Sequence, residues 1–194
     1  MKNILFSLIC LIGIEYNVLG QFTFYDSLSN AALALTTHHV IYDPTYFSIS
    51  YPNGDVPSNK GVCTDVVIRA YRKLGIDLQK EVHEDMNTNF KLYPSKWKLM
   101  RTDKNIDHRR VPNLMVFFAR HGEIKSKELI ASNFLPGDII CWDLGGGMTH
   151  IGLVVNKKSV DTLRYLIVHN IGGGQVLADC LLQFKIIGHY RYKK

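Results

Sequence analysis

The sequence predicts an α+β fold in which a helix with a cysteine at its start packs on a central antiparallel sheet. Two observations carry this. Directly after Cys63 the apolar residues Val66, Val67, Ala70, Tyr71 and Leu74 recur at helical spacing, and Gly75 stands where such a helix would stop. Much later, Asp138 to Leu144, His150 to Val155 and Tyr165 to Asn170 are apolar runs divided by glycine-rich or polar turns, the pattern of consecutive antiparallel strands.

The remaining segments follow in order. The opening stretch MKNILFSLICLIGIEYNVLG places one Lys before an apolar run from Ile4 to Ile14 and ends on small or aliphatic residues, which reads as a secretory signal peptide over residues 1–20. That run is shorter than the roughly 20 apolar residues a bilayer span requires, so no stable membrane anchor is expected, and the protein is expected in the periplasm or outside the cell. Residues 21–194 suit one domain, and a hydrophobic share of 46% is enough for a core without disulfide staples. Asp26 or Ser27 is placed to cap a helix through Ala31, Ala32 and Leu35 that ends near His38 and His39. The alternating YFSISY at Tyr46 to Tyr51 predicts a short strand or extended segment, and PNGDVPSNKG after it has loop composition. Residues 76–110 are polar and irregular, with a short helix predicted at Val82 to Phe90, and a second helix at Pro112 to Ala119 follows; together they form a helical insertion between the cysteine-bearing helix and the sheet. The tail from Val176 to Tyr192 has room for one or two more strands.

Charge narrows the partners. With Lys+Arg 23 against Asp+Glu 17 the chain carries +6, a balance that serves solubility or an anionic surface such as a cell wall. It has no Lys/Arg block and no interleaving of aromatic with basic residues, so nucleic acid is not expected as a partner, and a monomer is the default.

Cysteine usage points to chemistry. Cys10 lies in the expected leader, which leaves Cys63, Cys141 and Cys180, an odd number for an oxidising compartment. A pairing of Cys141 with Cys180 would leave Cys63 as the free thiol. Both also lie in apolar runs, where cysteine serves equally well as a small buried hydrophobe. A cysteine attacks as thiolate, and a position at a helix start, near unpaired backbone N–H groups and the positive end of the dipole, favours that form. His150 opens one predicted strand and His169 ends the next, so antiparallel pairing would bring them together. His150 could then act as general base and His169 could orient it. Taken singly, each has a plain structural reading: a helix-start cysteine that packs, a strand-end histidine that bonds a carbonyl. The ordered set is what suggests a nucleophile, a base and an orienting residue.

Residues around this set are candidates for binding substrate. Tyr42, Asp43, Tyr51 and Asp55 precede the nucleophile, and the loop NIDHRR supplies Asp107, His108 and Arg109, with Arg109 and Arg110 able to hold a peptide carboxylate or, equally, to form internal salt bridges. Asp65, just inside the helix, is expected to serve the dipole rather than catalysis. Gly145 to Gly147 and Gly172 to Gly174 lack the Gly-Lys-Ser/Thr ending of a phosphate loop and read as hairpin turns. No cofactor is implied, and no metal is expected. A zinc hydrolase built on Cys63, His150 and His169 is a weaker alternative, because no HExxH or CxxC spacing occurs.

The segments GVCTDVVIRAYRKLGIDL, LPGDIICWDL, THIGLVVN and IVHN resemble the NlpC-type cell-wall cysteine peptidases, a papain-like superfamily. The longer set YDPTYFSISYPNGDVPSNKGVCTDV, NIDHRRVPNL, HNIGGG and GHYRY resembles the bacterial DUF1287 family, across nearly all of residues 21–194. The first resemblance implies a papain-like fold, a Cys63–His150–His169 triad, and hydrolysis of a peptide or amide bond in peptidoglycan stem peptides. The segment 76–133 is longer than such peptidases usually carry there, which leaves substrate preference open. A wall-binding module that keeps the fold without turnover is the alternative from another class.

Overall fold

In a computed structural model the described residues are 12–194, with side chains from Phe24 onward. Helix α1 (Ile12–Leu35) leads into a two-residue strand β1 (Ile41–Tyr42), which pairs in parallel with β2 (Lys60–Gly61) just before helix α2 (Cys63–Lys73). Helices α3 (Leu78–Asn89) and α4 (Val111–His121) follow, separated by irregular chain with two short 3-10 turns. Strands β3 (Glu123–Ile124), β4 (Ile139–Gly145), β5 (Met148–Lys158), β6 (Tyr165–His169), β7 (Val176–Ala178) and β8 (Lys185–Arg191) form a six-stranded antiparallel sheet in the order β3-β8-β4-β5-β6-β7. The α+β architecture and the insertion of α3 and α4 between α2 and the sheet agree with the sequence reading.

One expectation changes and another narrows to one of its two alternatives. The first helix does not start at Asp26 or Ser27 but runs unbroken from Ile12, so these two residues are helix interior. Most of the expected leader, residues 1–11, lies outside the described residues; among the described residues no helix is long and apolar enough to cross a membrane. The YFSISY segment is extended without a ladder partner. Its alternation arises because Phe47, Ile49 and Tyr51 are half-buried while Tyr46, Ser48 and Ser50 face water, and Ile49 N–H donates to the Asn105 side chain instead of a strand.

The sheet divides two cores by strict alternation. Ile139 and Cys141 of β4, Ile151, Leu153 and Val155 of β5, and Val168 of β6 pack toward α1, α2 and α4. Ile140 and Trp142, Val154, and Ile167 point the other way, into a smaller core with Phe134, Cys180 and Leu181. Cys141 and Cys180 therefore sit in different cores, and all three described cysteines are free and buried, so the possible Cys141–Cys180 pairing is not formed. The apolar-run reading of both residues is the one the fold follows.

Candidate active site

Helix α2 begins where it does because Asp65, its third residue, folds back to accept the Val62 N–H at 2.7 Å. The same carboxylate receives a bidentate pair from Arg109, Nε to Oδ1 at 2.9 Å and Nη2 to Oδ2 at 3.0 Å, with both side chains almost fully buried. This pair fixes the helix start against the loop before α4, and Thr64 adds a bond to the Arg109 carbonyl. On the other side Asn170, just past β6, donates to the Gly61 carbonyl at 3.2 Å. Cys63 is thus clamped between the insertion and the end of the sheet.

Three backbone N–H groups lie near the Cys63 sulfur, those of Ile151, Thr64 and Cys63 itself. They favour a thiolate, as expected of a helix start, but burial outweighs them and, with Asp65 nearby, pushes the thiol up to about 12. The resting thiol is protonated. It opens on a cleft of about 230 Å³ whose walls include Tyr42, Trp97, Arg109, Arg110 and Thr149. Tyr42 feels the site as well: its hydroxyl pKa is raised by burial and by the neighbouring Cys63 and Asp65.

His150 and His169 are brought together as the strand order required. His150 Nε2 lies 2.8 Å from His169 Nδ1, and both rings are buried. His169 Nε2 in turn lies 3.6 Å from the Cys180 sulfur. His150 stands opposite Trp142 in the β4–β5 ladder and stacks on it, centroids 5.6 Å apart at 28°. This puts the imidazoles on the sheet face away from α2. Gly152, between them on β5, makes room: a Cβ there would come within 2.7 Å of Ile167 Cγ2 and 3.1 Å of His169 Cβ. Burial lowers the His150 pKa to about 3, with His169 adding to it, and burial lowers that of His169 too, so both rings rest neutral.

The thiol and the imidazole pair meet at β5. Cys63 contacts the amide of Ile151, the residue after His150, and Thr149, the residue before it, lines the Cys63 cleft. Among the described residues no hydrogen bond joins the thiol to either ring, and no group of three or more His, Cys, Asp or Glu is arranged to hold a metal ion.

The other predicted site residues divide. Tyr42 and Arg109 line the cleft. Asp43 turns to Lys60 at 2.8 Å and accepts the Thr45 N–H, which hold its carboxyl below the usual range. Tyr51 packs edge-on against His83. Asp55 pairs with Arg69 and Arg72, each at 3.0 Å, and lines a separate cavity of about 650 Å³. Asp107 is buried against His83 and the Asp103 N–H, and burial lowers the pKa of His108 to about 3. These five side chains serve the framework rather than the cleft. Arg110, offered from sequence with Arg109 as able to hold a peptide carboxylate, also lines the cleft; Trp97 and Thr149 were not singled out, and Thr149, as the neighbour of His150 at a strand entrance, is the one whose position carried a usable signal.

Residues 29–192 match the family model described as Domain of unknown function (DUF1287), and the chain belongs to that family. It is also similar to the Uncharacterized protein YijF of Escherichia coli (strain K12), 50% identical over 153 residues, which are 79% of this chain and 74% of that protein.

Proposed function

We propose that this DUF1287 member is a cysteine hydrolase of papain-like, NlpC-type design that cuts a peptide or amide bond, with peptidoglycan stem peptides as the substrate class. The observation that carries the reading is the pairing of a helix-start thiol that has three backbone N–H groups near it with a His150–His169 pair, one of those three amides being that of Ile151, the residue after His150.

The hydrogen-bond order sets the required tautomers. For His150 to accept a proton at Nδ1, its Nε2–H must donate to His169 Nδ1; the His169 proton then sits on Nε2, facing the Cys180 sulfur. The reverse order would put a proton on His150 Nδ1 and disable the base. Because thiol and imidazole both rest neutral, proton transfer accompanies attack instead of preceding it. In the reaction the Cys63 sulfur bonds to the carbonyl carbon while its proton passes through an intervening water at the β5 entrance to His150, whose ring rests on the far face of the sheet. The carbonyl oxygen takes the negative charge beside the helix-start N–H groups. Collapse expels the amine with the proton from His150 and leaves a thioester, which water hydrolyses to the acid and free thiol.

The test is digestion of purified peptidoglycan fragments by wild-type and Cys63→Ala protein, with products read by mass spectrometry. New termini released by the wild type alone are expected. Equal release by both proteins would remove Cys63 from the reaction.

A further inference from the structure

Two arginines line the cleft at Cys63, and their charges are used differently. Arg109 is spent. Its Nε and Nη2 hold the two Asp65 oxygens, its Nη1 donates to the Thr45 carbonyl at 3.3 Å, and only 1% of its side chain is exposed. Arg110 is not spent. Its guanidinium lies over the Trp97 ring, 4.1 Å from the centroid, and among the described residues it makes no ion pair and no hydrogen bond. Nη1 is sealed from solvent in that state, whereas Nε and Nη2, equally without partners, are not sealed.

The carboxylates that act on Arg110 bond elsewhere. Asp103 accepts from the Tyr46 hydroxyl and the Asn105 N–H, and Asp107 accepts the Asp103 N–H beside His83. Burial outweighs their pull and holds the Arg110 pKa below its ordinary value. The cleft lining contains no Asp or Glu. Neither does the neighbouring cavity of about 280 Å³ that Trp97 and Arg110 also border, where Lys91 adds a further cation. The cleft therefore holds a net positive charge next to the thiol, and Arg110 is its source.

We propose that Arg110 is the specificity residue of this cleft, selecting substrates that carry a carboxylate next to the bond presented to Cys63. Nε and Nη2 form the side-on fork of a guanidinium, the same pair with which Arg109 holds Asp65, and a carboxylate takes both donors at once. The Trp97 ring holds the fork in place before substrate arrives. A carboxamide brings one acceptor and no charge, and an ammonium is repelled by both Arg110 and Lys91. The inference rests on the hydrolase reading for its placement beside Cys63. It narrows the substrate class of that reading and assigns to Arg110 alone a role the sequence offered to both arginines.

Binding to Cys63→Ala protein separates the two claims. The probes are N-acetylated, C-amidated tetra-alanines with Glu or Gln, L or D, at one position at a time, so that a side chain carries the only negative charge. Isothermal titration should show, at one position, a Glu peptide bound about ten- to a hundredfold more tightly than its Gln twin, as charge-assisted hydrogen bonds allow. Arg110→Gln should bring that ratio to about one and leave the affinity for the Gln peptide within about threefold. Arg110→Lys keeps the charge without the fork and should retain a ratio of about three. Equal affinities at every position, or binding of neither peptide, would overturn the proposal. So would an undiminished Glu preference in either variant with unchanged circular dichroism, or an equal loss of both peptides in Arg110→Gln. A Glu preference with no cleavage of any peptide by wild-type protein would sink the hydrolase and leave the carboxylate subsite standing. Cleavage of Glu and Gln peptides with equal kcat/KM would do the opposite.

Discussion

Cys63 and Cys180 are both buried thiols whose pKa is pushed up to about 12, chiefly by burial, yet their surroundings differ in kind. Cys63 faces backbone N–H groups and lines a cleft; Cys180 faces an imidazole nitrogen from the core on the other side of the sheet. Acidity at rest therefore does not distinguish the proposed nucleophile from the proposed positioning group. What separates them is the set of donors ready for a negative sulfur or oxygen, and a path for substrate. The two thiols stand at opposite ends of one polar chain, since the strand bearing His150 touches Cys63 and His169 touches Cys180.

Replacing each end should break that symmetry. Cys63→Ala is expected to lower hydrolysis by about 10³-fold or more, and His150→Gln by a similar factor, measured as kcat/KM on a peptide substrate. Gly152→Ala comes next: its new Cβ would press on Ile167 and His169, so the melting temperature should fall by an amount equal to about 1–3 kcal/mol, and activity should fall with it as the ring pair separates. Cys180→Ala should have a smaller effect, about three- to tenfold in kcat, because it only frees His169 to adopt the wrong tautomer. Its signature is a changed acid limb of the pH–rate profile, with Cys180→Ser restoring most of the rate. A profile unchanged in shape would make Cys180 mere packing.

The smallest effect is on stability against pH. His150 and His108 have folded pKa values lowered to about 3 by burial, below the roughly 6.5 of an unfolded imidazole. The unfolded chain then binds more protons between these values, so the stability they contribute is complete above about pH 6.5 and is lost as pH falls toward 3. Thermal melts from pH 7 to 4 should show a declining midpoint, with a shallower decline in His108→Gln. A flat midpoint across that range would contradict the neutral, buried state of these rings.

Legibility in the sequence followed the range of the interactions. Helix α2 and strands β4 to β6 were readable because their signal is local periodicity, and His150 beside His169 followed from strand order alone. The roles of Asp55, Asp107 and His108 were not, because proximity to the motif in sequence says nothing of the partners that absorb a charge: Arg69 and Arg72 lie on α2, and His83 on α3. Trp97 reaches the cleft from irregular chain with no periodicity to mark it. The protonated resting state of Cys63 was also hidden, since a helix start predicts the N–H donors but not the burial that opposes them.

The central claim is that the Cys63 sulfur carries the acyl group. Rapid acid quench of wild-type protein with a peptide ester, followed by intact mass and peptide mapping, tests it most directly. The account predicts a thioester adduct on Cys63, absent from Cys63→Ala and formed more slowly in His150→Gln. An adduct on Cys180 or Cys141, or turnover of that ester with no covalent intermediate on any cysteine at any quench time, would contradict it.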